Sequence, residues 1–263
     1  MRVASAVALC AVASAGGAIA GAAQGASGVG AQAVTDFSWA KRVAAAKRFA
    51  AHRTGKVSFA VVDESGARRG YRAGAPYESA SVVKVMLMVA YLRQARHRRL
   101  DTHDRGLLGP MIRRSANEPA SAIYQKVGAA ALKKLARDAG MKGFATGPTW
   151  GASRITAAGQ ADFLYTLESY IPERHRSYAL RLLADIVPPQ RWGIPPAVPP
   201  GFHIHFKGGW APEAGGWKIN QVALLTNGDR RLALAVLTRG NPSQGYGHGT
   251  VRGLAERLLR GFR

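Results

Sequence analysis

From Asp36 to His52 the apolar residues Trp39, Val43, Ala46 and Ala50 recur at helical spacing, with Lys41, Arg42, Lys47 and Arg48 on the other faces. The pattern predicts a first amphipathic helix, with Gly55 as its stop. Lys56 to Asp63 (KVSFAVVD) reads as a strand, Glu64-Ser65-Gly66 as a turn, and Ala67 to Ala73 as the hairpin partner. A long helical block follows from about Ser81 to Lys142. Breaks at Gly109-Pro110 and near Gly128 divide it into at least three helices. A second helical stretch covers Thr156 to Leu183. Pro188, Pro189, Pro195, Pro196, Pro199 and Pro200 then impose an irregular connection.

Three further strands are expected at Phe202 to Lys207, Ile219 to Thr226 and Arg231 to Thr238. Asn227-Gly228-Asp229 supplies a hairpin turn between the last two. Thr250 to Leu259 is a terminal helix with Val251, Leu254 and Leu258 on one face. Strands at both ends and helices between them predict an α/β (α+β) fold. Its five-stranded antiparallel sheet is built from both termini, with flanking helices and an inserted all-helical lobe. No internal repeat is visible.

The chain has 263 residues, 47% of them hydrophobic, enough for a substantial core and one domain. Its first 33 residues differ in kind: Arg2, an Ala/Val/Leu run, then an uncharged Gly/Ala/Gln/Ser stretch. This is read as a secretory signal peptide with small-residue cleavage sites ending at Ala20, Ala23 or Ala33, so residues 34–263 form the mature, extracytoplasmic domain. Cys10, the only cysteine, falls in the removable part, so the domain has no disulfide of its own and relies on its core. No later segment is long and apolar enough for a membrane span. The formal charge of +22 raises nucleic acid as a partner, but the basic residues are scattered and no zinc-finger or RNP-like pattern accompanies them. For an exported monomer, anionic cell-wall polymer fits better, and a plain bias toward arginine on solvated faces fits as well.

The candidate chemistry begins at Ser81-Val82-Val83-Lys84, which opens the apolar run Val85 to Ala90. On a helix, residues three apart share a face, so the lysine lies beside the serine. A serine needs a base to become a nucleophile, and a lysine serves if burial or a second cation lowers its pKa. Ser38-Trp39-Ala40-Lys41 matches the same spacing, so the pattern alone is weak. Company separates the two: Ser115-Ala116-Asn117 follows downstream, and Lys207-Gly208-Gly209 sits at the end of an expected strand. Lys126-Val127-Gly128 lies in helical sequence and is a decoy.

The order Ser-x-x-Lys, Ser-x-Asn, Lys-x-Gly resembles the three motifs of class A β-lactamases and penicillin-binding D,D-peptidases. The likeness runs from Lys56 to Arg263 and takes in Met111-Ile112-Arg113-Arg114 and Arg191-Trp192-Gly193-Ile194-Pro195. It implies that Ser81 attacks an amide carbonyl, Lys84 receives the proton, and Ser115 relays a proton to the departing nitrogen. Asn117 would hold the substrate's side-chain amide and Lys207 its carboxylate. The oxyanion would sit between the backbone N–H groups of Ser81 and Trp210, the residue after Gly209. No cofactor or metal is implied. His203 and His205 share a strand face without an evident third ligand.

Three departures qualify the likeness. Ala116 replaces the usual aspartate, and Gly208 replaces a threonine or serine that would help bind the substrate carboxylate. Between Gly140 and Thr156, where class A enzymes carry an acidic loop with a water-activating glutamate, there is no carboxylate. Asp162 and Glu168 come later, in helical sequence. Acylation with slow hydrolysis is therefore expected, on a small-molecule β-lactam or a D-Ala-D-Ala-like peptidoglycan peptide. A D,D-peptidase, or a catalytically weak peptidoglycan-binding module with the same fold, is the alternative.

Overall fold

The structure, a computed structural model, describes residues 37–262. The expected signal peptide lies outside the described residues. In chain order the elements are α1 (Trp39–Ala51), β1 (Lys56–Val62), β2 (Arg68–Tyr71), β3 (Pro76–Glu78), α2 (Lys84–Gln94), α3 (Thr102–Arg113) and α4 (Asn117–Asp138). They continue with β4 (Arg154–Thr156), α5 (Ala157–Tyr165), α6 (Glu173–Ala184), β5 (His203–Glu213), β6 (Gly216–Asn227), β7 (Arg230–Asn241) and α7 (Gln244–Leu259). Short 3₁₀ turns lie between several of them, one at Ala80–Val83 directly ahead of α2.

The main sheet has the order β2-β1-β7-β6-β5 and is antiparallel throughout. The first and last strands therefore meet in its middle, which closes the sheet from both termini as expected. Two-residue alternation divides each central strand between two cores. On β7, Ala233, Ala235 and Leu237 face the helical lobe, whereas Leu232, Leu234 and Val236 face α1 and α7. Helix α2 is buried along Lys84–Leu92, so it is apolar all round rather than amphipathic and forms the axis of the lobe.

Several boundaries differ from the sequence reading. Gly109-Pro110 does not break the helical block: α3 runs through Pro110 to Arg113. Leu108, Met111 and Ile112 around it are fully buried, and their packing outweighs the roughly 3 kcal/mol that an interior proline costs. The real interruptions are the loop ahead of Asp101, which caps α3 with Asp104 in a capping box, and the Ser115-Ala116 corner. Gly128 does mark a kink, with φ +74° inside α4. The 156–183 stretch splits at Pro172 into α5 and α6.

The insertion also carries the two-stranded pair β3–β4, which the sequence reading did not include and which flanks the turn holding Ser81. Strand β5 does not end at Lys207. Its ladder with β6 runs on to Glu213 opposite Gly216, so Lys207-Gly208-Gly209 lies in mid-strand. Residues 208–215, rich in glycine and interrupted by Pro212, carry little β-propensity; pairing with β6 along the full hairpin supplies the order that propensity does not.

Candidate active site

Ser81 sits in the 3₁₀ turn and Lys84 is the first residue of α2. In a 3₁₀ turn residues i and i+3 eclipse, so the spacing stacks this serine and lysine more directly than an α-helix would. Ala80, just before Ser81, has φ +45°, a conformation that costs a residue with a Cβ and that clusters at functional sites. The other Ser-x-x-Lys has a structural role: Ser38 caps α1 by accepting from the Lys41 backbone N–H at 3.5 Å, and Lys41 is exposed.

The Lys84 ammonium is fully buried. It donates to the Ser115 carbonyl at 2.6 Å and to Asn117 Oδ1 at 2.9 Å, and lies 3.4 Å from Ser115 Oγ. Among the described residues no hydrogen bond joins it to Ser81 Oγ. Burial lowers its pKa to about 7. Lys207 is buried completely and donates to Ser115 Oγ at 2.9 Å and to the Gly208 carbonyl at 2.7 Å. Burial first, and the nearby Lys84 second, hold its pKa well below the usual lysine range. Desolvation, more than mutual repulsion, therefore makes both amines potential bases.

Ser115 has φ +57° at the corner between α3 and α4, which turns its hydroxyl to both lysines. Ala116 is the N-cap of α4 and offers no side-chain cap, so the aspartate absent from the motif leaves an uncapped helix start. Asn117 opens α4 and is exposed apart from its bond to Lys84.

Strand β5 approaches Ser81 through Gly209. A Cβ there would lie 2.7 Å from the Ser81 nitrogen and 2.8 Å from the Val82 nitrogen, so only glycine allows this contact. Trp210 follows, half-buried and opposite Ile219 in the ladder. The motif residues Lys84, Ser115, Asn117 and Lys207 are thus joined by hydrogen bonds, and Gly209 brings Ser81 to them.

Trp150 was not singled out from the sequence. Its indole lies 4.7 Å from the Lys84 ammonium and donates Nε1–H to Ser121 Oγ at 3.1 Å. The strand and turn around it are tied to the Ser81 turn, with Ser79 N–H donating to the Ser153 carbonyl at 2.8 Å and Ser79 Oγ–H to the Gly151 carbonyl at 3.2 Å. The carboxylate-free segment thus sets an aromatic ring beside the lysine. Asp162 pairs with Arg68, Glu168 with Arg231, and Glu213 with Lys218 and the Gly240 N–H, so none of these acids faces Lys84 in this structure. His205 Nδ1–H donates to the Leu180 carbonyl, 3.0 Å away, and among the described residues no cluster of three His, Cys, Asp or Glu forms a metal site.

Comparison with known proteins shows the fold. Residues 40–108 match the model of the β-lactamase enzyme family. The whole fold is similar to a class A β-lactamase from Mycobacterium abscessus, at 20% identity over 84% of this chain and 99% of that one, TM-score 0.72. It is similar to a β-lactamase from Sphaerobacter thermophilus DSM 20745, at 19% identity over 85% and 97% of the two chains, TM-score 0.69. An ancestral class A β-lactamase aligns at 17% identity over 84% and 100%, TM-score 0.71. No curated protein matches. The chain has the class A β-lactamase fold, consistent with the superfamily of serine β-lactamases and penicillin-binding proteins that its three motifs resemble.

Proposed function

We propose that the domain 34–263 is an exported active-site-serine hydrolase that is acylated by β-lactams or D-Ala-D-Ala-like amides and releases the acyl group slowly. Ser81 is the nucleophile, Lys84 its base, and Ser115 the proton relay to the leaving nitrogen. Asn117 and Lys207 contact the substrate, and the N–H groups of Ser81 and Trp210 receive the oxyanion. The observation that carries this reading is the pair of buried lysines meeting at one serine hydroxyl, Lys207 at 2.9 Å and Lys84 at 3.4 Å. Two desolvated amines around one hydroxyl cost stability, and such clusters of perturbed groups gather at functional sites, where they move protons and meet charged substrate groups.

Intact mass after incubation with a penicillin, followed over time, tests acylation and release together. Wild type should gain one acyl mass and keep it, and Ser81→Ala should gain none while staying folded. Equal labelling of the two would sink the assignment. The basic surface supports an anionic wall polymer as partner. Arg99, Arg105, Arg174 and Arg181 line one cavity of about 560 Å³, and none of them forms an ion pair among the described residues. Salt-sensitive co-sedimentation with purified walls checks this.

A further inference from the structure

Gly208 stands where the resembled motif carries a hydroxyl, and the space of that missing side chain is filled. A Cβ on Gly208 would lie 2.9 Å from Cζ2 and 3.2 Å from Cη2 of Trp192. The indole is fixed in place. It stacks on the His248 ring at 4.0 Å between centroids and 10° between planes, and meets Trp210 edge-on at 6.0 Å. Gln221, which sits opposite Gly208 in the β5–β6 ladder, clamps the backbone of the Trp192 loop. Its Nε2 donates to the Trp192 carbonyl at 2.8 Å and its Oε1 accepts from the Ile194 N–H at 2.6 Å.

The groups beside this lip offer little to an anion. Gln221 is buried and spent on the loop. The Arg191 guanidinium lies over the Phe206 ring and donates to the Ala184 carbonyl at 3.0 Å. The His248 ring is stacked on the indole, and Lys207 already donates to Ser115 Oγ and to the Gly208 carbonyl. With Trp150 beside Lys84, three of the chain's 5 tryptophans stand around the motif residues.

We propose that Trp192 is a specificity-determining residue of the Ser81 site: its indole, seated on Gly208, replaces a carboxylate anchor with an aromatic lip. The site therefore favours acyl donors whose leaving-group side is flat and uncharged, such as aryl esters, and accepts the carboxylate-bearing β-lactams and D-Ala-D-Ala-like amides with weaker binding. The inference rests on the acyl-transfer reading above. In the reaction Ser81 Oγ bonds to the acyl carbon, the C–O bond to the aryl oxygen breaks, and the serine proton leaves through Lys84 and Ser115 to the phenolate. Water then hydrolyses the acyl-serine to the free acid. A carboxylate set against the indole would lose water without gaining a partner, which sets the direction of the preference.

The test uses phenyl phenylacetylglycinate and its meta-carboxyphenyl analogue, which differ by one carboxylate remote from the reacting carbon. For the full mature chain, kcat/KM for the neutral ester should exceed that for the charged one at least tenfold, chiefly through KM. Trp192→Ala combined with Gly208→Ser should erase the preference, and Trp192→Arg should reverse it, in variants shown to melt cooperatively. Equal kcat/KM for the two esters in wild type overturns the inference, even if neither variant folds. So does a preference unchanged in a folded variant. If neither ester acylates Ser81 while a penicillin does, the inference falls and the acyl-transfer reading stands; if the penicillin also leaves Ser81 unmodified, both fall; acylation by both esters without discrimination sinks the inference alone.

Discussion

Lys84 is an ordinary lysine by type and an unusual one by place. With a pKa near 7 it changes from mostly protonated to mostly neutral between about pH 6 and 8. If the neutral amine accepts the Ser81 proton, acylation rises with pH, about tenfold per unit below 7, and levels off above about 8. Stopped-flow acylation across this range checks the profile, and a flat one contradicts a lysine base. Lys84→Arg should be nearly inactive, since a guanidinium keeps its proton throughout. At Gly209 even one methyl group is too much: Gly209→Ala pushes a Cβ against the Ser81 and Val82 nitrogens at 2.7 and 2.8 Å. Backbone cannot step aside as a flexible side chain can. The variant should lose acylation and melt earlier, as thermal unfolding and mass labelling together will show.

Elements deliver these residues, and their ends matter most. Helix α4 starts at Ala116 without a side-chain cap, so Ala116→Asp should stabilise the protein by about 1 kcal/mol in denaturant titration. Helix α3, which ends beside Ser115, is anchored at its start by Asp104. This buried carboxylate accepts from Arg98 and, at 2.6 Å, from Tyr91. The Arg98 hydrogen bonds above all hold it below the usual carboxylate range. A depressed folded pKa gives stability that is present above the unfolded value near 4 and lost as pH falls through the folded one. Asp104→Asn should therefore be less stable than wild type at pH 7, with the gap closing as pH drops below about 4. Equal melting temperatures at pH 7 would contradict the anchor.

At the scale of the whole molecule, the sheet and the lobe bring together Ser115 and Lys207, 92 positions apart, and set Gly209 against Ser81, while the carboxylate-free segment places Trp150 beside Lys84. Loss of a general base commonly costs ~10²–10⁴ in rate, so hydrolysis of the acyl-enzyme should fall from the ~10–10³ s⁻¹ of a competent enzyme to roughly 0.1 s⁻¹. Turnover of a chromogenic cephalosporin decides this. A rate in the competent range would mean that another base activates the water, either Lys84 itself or an acid that reaches the site during catalysis.

The strand KVSFAVVD and the Asn-Gly-Asp hairpin were legible because they depend on local residue preference and turn chemistry, and the three ordered motifs through the family resemblance that their order carries. The end of β5 was not, since glycine-rich sequence becomes strand only when β6 pairs with it, and Pro110 stays helical only because its neighbours are buried. Likewise Ser38 and Ser81 open identical spacings, and one becomes a cap while the other is met by Gly209. The sequence by itself determined which residue types recur and at what spacing. Only the tertiary structure decided which lysines lose their water and which tryptophans stand beside them, because desolvation and van der Waals contact depend on neighbours far away in the chain.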